Sequence, residues 1–216
     1  MRRTVVLLHS PLVGPLTWQA VARRLRANGR DVIVPDLSDA VRAGPPHEPA
    51  LVSAVADAVG DGPFVLVGHS AAGPLLPAIG DRIGAEALVY VDARLAHRRR
   101  PELDDLARDG MLPPWNEWFP AAELAAILPD PAVRSAFVSE LRPVPLSFYD
   151  PPPAAPALPA PPAWTGTAGY LLLSEAYRPI AEQAAAAGQT VVEALDHHLA
   201  MLTAPDAVTA ALEPFL

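Results

Sequence analysis

The stretch that most restricts the fold is Phe64-Val65-Leu66-Val67 running straight into Gly68-His69-Ser70-Ala71-Ala72-Gly73, after which the chain can only be helical. A buried strand that ends in Gly-x-Ser-x-small and feeds a helix holds the serine on a sharp, strained turn. The residues two places to either side must be small for strand and helix to approach. Gly68 and Ala72 fill those places, with alanine where the common motif has glycine. The helix directs its first amide groups and the positive end of its dipole at the Ser70 hydroxyl, the place where an oxyanion would form. A plain strand–turn–helix with a hydroxyl N-cap is the simpler reading of the same residues. Pro74 falls in the first helical turn, where a missing N–H costs little, and Pro77 is expected to kink the helix before Gly84.

The flanking chain repeats this alternation. Thr4–Leu8, Asp31–Pro35, Phe64–Val67, Ala87–Val91, Gly169–Leu173 and Thr190–Leu195 read as six strands. Between the first two, Trp18, Val21, Ala22 and Leu25 recur at helical spacing, and Asn28-Gly29 stops that helix. Further helices are expected over 51–59, 71–84, 178–187 and 205–216, with a polar loop from Ser38 to Pro49. Strands alternating with helices imply a parallel sheet with right-handed crossovers and helices on both faces. Ligands of such sheets bind at the carboxyl ends of the strands. Ser70, Asp92, Glu175 and His198 each follow a predicted strand, so all four are expected at one rim.

The alternation fails over about 94–163. This segment holds the basic run His97-Arg98-Arg99-Arg100, two or three short helices, several aromatic residues and a proline-rich tail from Pro151 to Pro162. An insertion of this length above such a rim reads as a helical lid. The expected architecture is therefore α/β: one domain over 1–216, a mostly parallel six-stranded sheet with helices on both faces, and a lid at about 94–163. Trp115 and Trp118 are read either as pocket lining or as the lid's own small core. The arginine run is read as a solvated face, with contact to a carboxylate or a phosphopantetheine as the other reading.

Composition narrows the function. The net charge of −8 argues against a nucleic-acid surface, and no run approaches the roughly 20 apolar residues of a membrane span. The apolar run after Arg2-Arg3 is too short for a signal peptide, so a cytoplasmic location is expected. The chain has no cysteine, which removes thiolate chemistry and cysteine metal sites. Neither a glycine-rich nucleotide loop nor a metal cluster is legible, so no cofactor and no metal are expected. The expected partner is a small-molecule substrate rather than a nucleic acid or a membrane.

A serine nucleophile needs a base, and the base needs an orienting acid. Of the six histidines, His9 ends the first strand, His69 lies inside the turn, and His47 and His97 lie in polar loops. Asp196-His197-His198 follows the last strand and supplies the base. Asp196 is too near to orient its own neighbour, which leaves Glu175 and Asp92 as candidate acids.

These residues resemble the α/β-hydrolase fold superfamily over nearly the whole chain. The family order is nucleophile, acid, histidine, and Ser70, Glu175 and His198 reproduce it. The resemblance places the acid after the strand that follows the lid, which favours Glu175 and keeps Asp92 in reserve. It also points to His198 as the base, several residues before the helix start Pro205-Asp206, with His197 in a place often held by glycine. The family's two N-terminal antiparallel strands have no counterpart here. Its loop after the first parallel strand reads His-Gly-x, with the amide of x facing the oxyanion beside that of the residue after the nucleophile, here Ala71. This chain reads His9-Ser10-Pro11-Leu12. If Pro11 holds the place of x, one donor is missing, at a cost of about 2.7–4 kcal/mol in the transition state. A shift of one residue puts the Leu12 amide there instead. His9, His69, Trp115 and Trp118 are the remaining candidates for the pocket.

The leading expectation is a serine hydrolase acting on an ester, lactone or thioester of a small to medium apolar substrate. The Pro11 alternative motivates a second, a lyase or cyclase that uses Ser70 and His198 as acid and base. A binding protein that kept the fold without the chemistry is the third.

Overall fold

In a computed structural model, which describes residues 3–150 and 164–216, the elements follow in the order β1 (Thr4–Leu8), α1 (Leu16–Ala27), β2 (Val32–Ile33), α2 (Ser38–Arg42), α3 (His47–Ala58), β3 (Phe64–His69), α4 (Leu76–Ile83) and β4 (Ala85–Val91). Then come β5 (Met111–Leu112), α5 (Ala121–Ile127), α6 (Pro131–Glu140), β6 (Val144–Pro145), β7 (Thr167–Leu172), α7 (Arg178–Ala186), β8 (Thr190–Glu193), α8 (Ala200–Thr203) and α9 (Pro205–Leu212). Six strands form one parallel sheet in the order β2-β1-β3-β4-β7-β8, while β5 and β6 pair separately and antiparallel. The mostly parallel α/β architecture expected from the alternation is the one observed.

Period-two alternation along each central strand feeds two cores. Val5, Leu7, Val65, Val67, Val89 and Val91 point toward α1, α8 and α9, where Trp18, Met201 and Leu212 cover them. Val6, Leu8, Leu66, Leu88 and Tyr90 point the other way, against residues of α3, α4 and α7. Both faces are buried, so these strands read as unbroken apolar runs.

The edges and the helix after Ser70 differ from expectation. The second strand is confined to Val32–Ile33, and β8 ends at Glu193 rather than Leu195. The helix expected over 71–84 is instead a 3-10 turn, Ser70–Leu75, followed by α4. Pro74 and Pro77 each lack an N–H, so no continuous α-helical hydrogen-bond ladder can cross that region. Ser38–Arg42 is a short helix within the expected loop, and the closing helix stops at Leu212, one residue before a 3-10 turn that contains Pro214.

The described part of the insertion does not keep a core to itself. Leu124, Leu128 and Phe137 are buried in the same cluster as Leu12, Leu37 and Val41 beside the sheet. A Glu140 carboxylate oxygen accepts the Leu16 amide at 2.9 Å, tying α6 to the start of α1. The proline-rich tail, Pro151 to Pro162, lies outside the described residues. Among the described residues, no helix is long and apolar enough to cross a membrane.

Pairing places the chemistry-bearing turns at one rim. Leu8 sits opposite Gly68, His69 opposite Val91, and Val91 opposite Leu171. The chain leaves β1 toward β2 on one side and places β3 on the other. The loops after β1 and β3 therefore diverge and open a crevice at this switch in strand order.

Candidate active site

Ser70 is the first residue after β3 and has φ 57°, a left-handed conformation that costs energy for any residue with a Cβ. The turn is compressed from two sides. A Cβ on Gly68 would come 2.6 Å from Leu76 Cδ2, and one on Gly73 would come 2.0 Å from the carbonyl oxygen of Arg94. The Arg94 amide also donates to the Ser70 carbonyl at 3.2 Å. The turn after β3 and the turn after β4 are thereby held against each other.

His198 Nε2 lies 3.0 Å from Ser70 Oγ, and His198 Nδ1 lies 3.1 Å from Asp92 Oδ2. A carboxylate only accepts, so Nδ1 carries the proton, and Nε2 keeps the lone pair that receives the serine proton. Asp92 is fully buried and also has a positive φ, 41°. Its Oδ1 accepts the Leu173 and Ser174 amides at 2.6 and 3.1 Å, and its Oδ2 accepts the Ser174 hydroxyl besides His198. Four donors satisfy the oxygens of this buried carboxylate. The neighbouring residue is clamped as well. The Tyr170 hydroxyl donates to the Ala93 carbonyl at 3.0 Å and accepts the Ala93 amide at 3.1 Å.

This corrects the acid preferred from sequence. Glu175 does not touch His198: its side chain is 66% exposed and forms an ion pair with Arg178, 2.6 and 2.8 Å away. That pairing holds the Glu175 carboxyl below its usual range. The reserve candidate, Asp92, is the carboxylate in contact with the imidazole. Both follow strands, but only Asp92 ends a fully buried run, and the Arg178 partner three residues beyond Glu175 was a readable sign of a surface pair.

The loop after β1 lies between two depressions. Leu12 lines both the cavity shared by Ser70, Ala71 and His198 and a depression beside Val41 and Glu140, whereas Pro11 lines the latter. The Leu12 amide makes a long bond of 3.3 Å to the Ser10 hydroxyl, and the Ser10 carbonyl accepts the Val13 amide at 3.0 Å. Ala71 stands at the start of the 3-10 turn, where an N–H has no acceptor within the helix.

Three of the expected pocket residues hold the frame instead. His9 donates from Nδ1 to the Ser10 carbonyl at 2.9 Å and accepts the Leu37 amide at Nε2 at 3.0 Å, fully buried. His69 donates from Nε2 to the His198 carbonyl at 2.9 Å, fixing the backbone that carries the base. Burial, reinforced by the nearby His198, drives the His69 pKa well below 6.5 and keeps this ring neutral. Trp118 donates to the Pro113 carbonyl at 2.9 Å within the insertion. Trp115 alone of the four lines the cavity, and it also packs edge-on against Phe119 and Phe137.

Five further cavity residues were not singled out in the sequence: Tyr177, Arg94, Tyr149, Ser174 and Ala176. Tyr177 stacks on the His198 ring. No local pattern identifies any of them, because each reaches the cavity through strand order rather than spacing. The cavity volume is about 200 Å³. Pockets for drug-sized ligands run from about 300 to 1,000 Å³, so this one suits a small molecule.

A sequence model described as the alpha/beta hydrolase family matches residues 5–211. Among solved structures, the chain superposes on an extracellular alpha/beta-hydrolase from a Paenibacillus species with a TM-score of 0.71 and 18% identity, over 98% of each chain. A polyneuridine aldehyde esterase variant gives a TM-score of 0.72 at 16% identity, over 100% of this chain and 99% of the other. The thioesterase domain of the curacin biosynthetic pathway gives 0.65 at 18%, over 98% and 91%. No curated protein sequence matches the chain.

Proposed function

Because the chain belongs to the alpha/beta hydrolase family, we propose that it is a serine hydrolase cleaving an ester, lactone or thioester of a small substrate through Ser70, His198 and Asp92. The observation that carries this reading is the unbroken relay from Ser70 Oγ to His198 Nε2 at 3.0 Å and from His198 Nδ1 to Asp92 Oδ2 at 3.1 Å. Structures of the same fold that bear esterase and thioesterase names support it.

In this mechanism Ser70 Oγ attacks the carbonyl carbon and its proton passes to His198 Nε2. Asp92 stabilises the imidazolium that forms and keeps its own negative charge. The tetrahedral oxyanion takes the Ala71 and Leu12 amides, the latter released from its long bond to Ser10. Collapse expels the alcohol or thiol, which leaves with the proton from His198. Water then gives a proton to His198 and attacks the acyl-enzyme, and the acid departs as Ser70 regains its proton.

The lyase or cyclase alternative drew its motive from Pro11. That Leu12 rather than Pro11 lines the cavity with Ser70 favours the hydrolase reading over it. The test is covalent labelling by a fluorophosphonate probe. Wild-type protein is expected to take up one equivalent and Ser70→Ala none; equal labelling of the two would refute the assignment.

A further inference from the structure

Resting on the hydrolase reading above, we propose that the cavity takes an ester whose short acyl chain ends in a free carboxylate, gripped by Arg94 and Tyr149 with Arg100 behind them. All three side chains line the cavity that holds Ser70 and Ala71, so the space that receives the acyl carbonyl also contains the cations.

Three observations carry this. Arg94 is half-buried, and its side chain makes no ion pair or hydrogen bond among the described residues. Tyr149 is only 6% exposed, and beside its hydroxyl stands the Arg100 guanidinium, which can only donate and leaves the O–H proton without an acceptor among the described residues. A buried hydroxyl normally finds one, and an orphan at a cavity wall points to a group supplied from outside. Arg100 lies 5.8 Å from the centre of the Tyr149 ring and donates to Glu102 at 2.8 Å.

Among the described residues no carboxylate is in contact with the Arg94 guanidinium. Glu102 answers Arg100, and Asp92 is occupied by its four donors on the His198 side. Arg94 shares the field of Glu102 but makes no ion-pair contact with it, and it stands beside an O–H that lacks an acceptor among the described residues. The chain as a whole carries −8, so a positive spot at this rim is not background. A carboxylate offers only acceptors and matches a guanidinium and a phenol donor together. A neutral chain of the same length would bury Arg94 further and return nothing to it, so the site discriminates against it. Trp115 provides an apolar wall for the intervening methylenes.

The experiment compares mono-p-nitrophenyl glutarate with p-nitrophenyl pentanoate, which has the same chain length but no charge. Wild-type protein is expected to favour the glutarate ester at least tenfold in kcat/KM. That ratio should fall tenfold or more in Arg94→Gln, recover partly in Arg94→Lys, and fall severalfold in Tyr149→Phe. Equal use of the two esters by wild-type protein, or a ratio untouched by Arg94→Gln, overturns the proposal while leaving the hydrolase reading standing. Calorimetric titration of Ser70→Ala with glutarate reads the anion site without turnover. Saturable binding is expected, weakened tenfold or more when Arg94→Gln is added. If glutarate binds in this Arg94-dependent way but neither ester is cleaved, the hydrolase reading fails and the carboxylate site stands. If glutarate does not bind, the carboxylate site fails.

Discussion

The Tyr177 phenol lies flat on the His198 imidazole, with ring centroids 4.9 Å apart and planes 5° from parallel. His198 also meets His69, centroid to centroid at 4.4 Å with the planes tilted by 38°, and His69 holds its backbone carbonyl. Two rings thus pack against the base and help hold it on the line from Ser70 to Asp92. An aromatic pair contributes about 0.5–1.5 kcal/mol beyond its buried area. Tyr177→Ala should therefore lower kcat by roughly three- to tenfold. Tyr177→Phe, which keeps the stack and loses only the hydroxyl that reaches Ser70, should lose less in kcat than Tyr177→Ala. A steady-state comparison of the two variants checks this, and equal losses in both would assign the effect to the hydroxyl instead.

The two carboxylates should separate cleanly on substitution. In Asp92→Asn the amide nitrogen would donate toward His198 Nδ1, forcing the proton onto Nε2 and removing the lone pair that Ser70 needs. A loss of about 10³–10⁴ in kcat follows from a wrong tautomer of this kind. The remaining amide oxygen can still accept the Leu173 and Ser174 amides, so the fold should survive. Glu175→Gln breaks only exposed, solvent-screened pairing with Arg178 and should leave kcat within about twofold. Kinetics of both variants, with circular dichroism as the folding check, decide between them.

What the sequence made legible follows the physics of each signal. The strands buried on both faces stood out because Val5–Leu8, Phe64–Val67 and Leu88–Val91 have no polar interruption. The edge strand β2 was overestimated because Asp31 and Pro35 carry no pairing information. Ser70 was readable from strictly local geometry, a small residue on each side of a strained turn. The choice between Asp92 and Glu175 was not, because both end strands and the decisive contact comes from register. Val91 opposite Leu171 brings the Leu173 and Ser174 amides onto Asp92. The positions of Tyr177 and Arg94 beside Ser70 are non-local in the same way.

Acid should destabilise the fold before the carboxylates titrate. Burial lowers the pKa of both His9 and His69 below 6.5, so each remains neutral in the folded chain under conditions where it is protonated in the unfolded one. The unfolded state then binds more protons, and stability falls as pH drops below about 6.5. Each such histidine contributes a slope of about 1.4 kcal/mol per pH unit until its folded-state pKa is reached. Urea unfolding at pH 7.5 and pH 5.5 should show a loss of at least about 1 kcal/mol. In His69→Gln, where the amide can donate to the His198 carbonyl without titrating, the loss should shrink. Identical stability at the two pH values would contradict this account.

Gly73 and Gly68 should respond differently to the same added methyl group. At Gly73 a Cβ would fall 2.0 Å from the Arg94 carbonyl oxygen, which belongs to backbone already tied to Ser70. That oxygen cannot retreat without carrying along the turn that holds Asp92 at φ 41°. At Gly68 the nearest atom is Leu76 Cδ2 at 2.6 Å, the end of a side chain that can rotate, although it is fully buried. Overpacking of this kind costs about 1–3 kcal/mol and more where the neighbour is rigid. Gly73→Ala should therefore lie at or above the upper end of that range and lower fluorophosphonate labelling of Ser70 as well, because Asp92 leaves its line with His198. Gly68→Ala should cost less in stability and retain most of the labelling. Denaturant titration and labelling rates of the two variants, side by side, separate a rigid backbone collision from a yielding side chain. A milder effect at Gly73 than at Gly68 would show that the turn after β4 moves independently of the turn that carries Ser70.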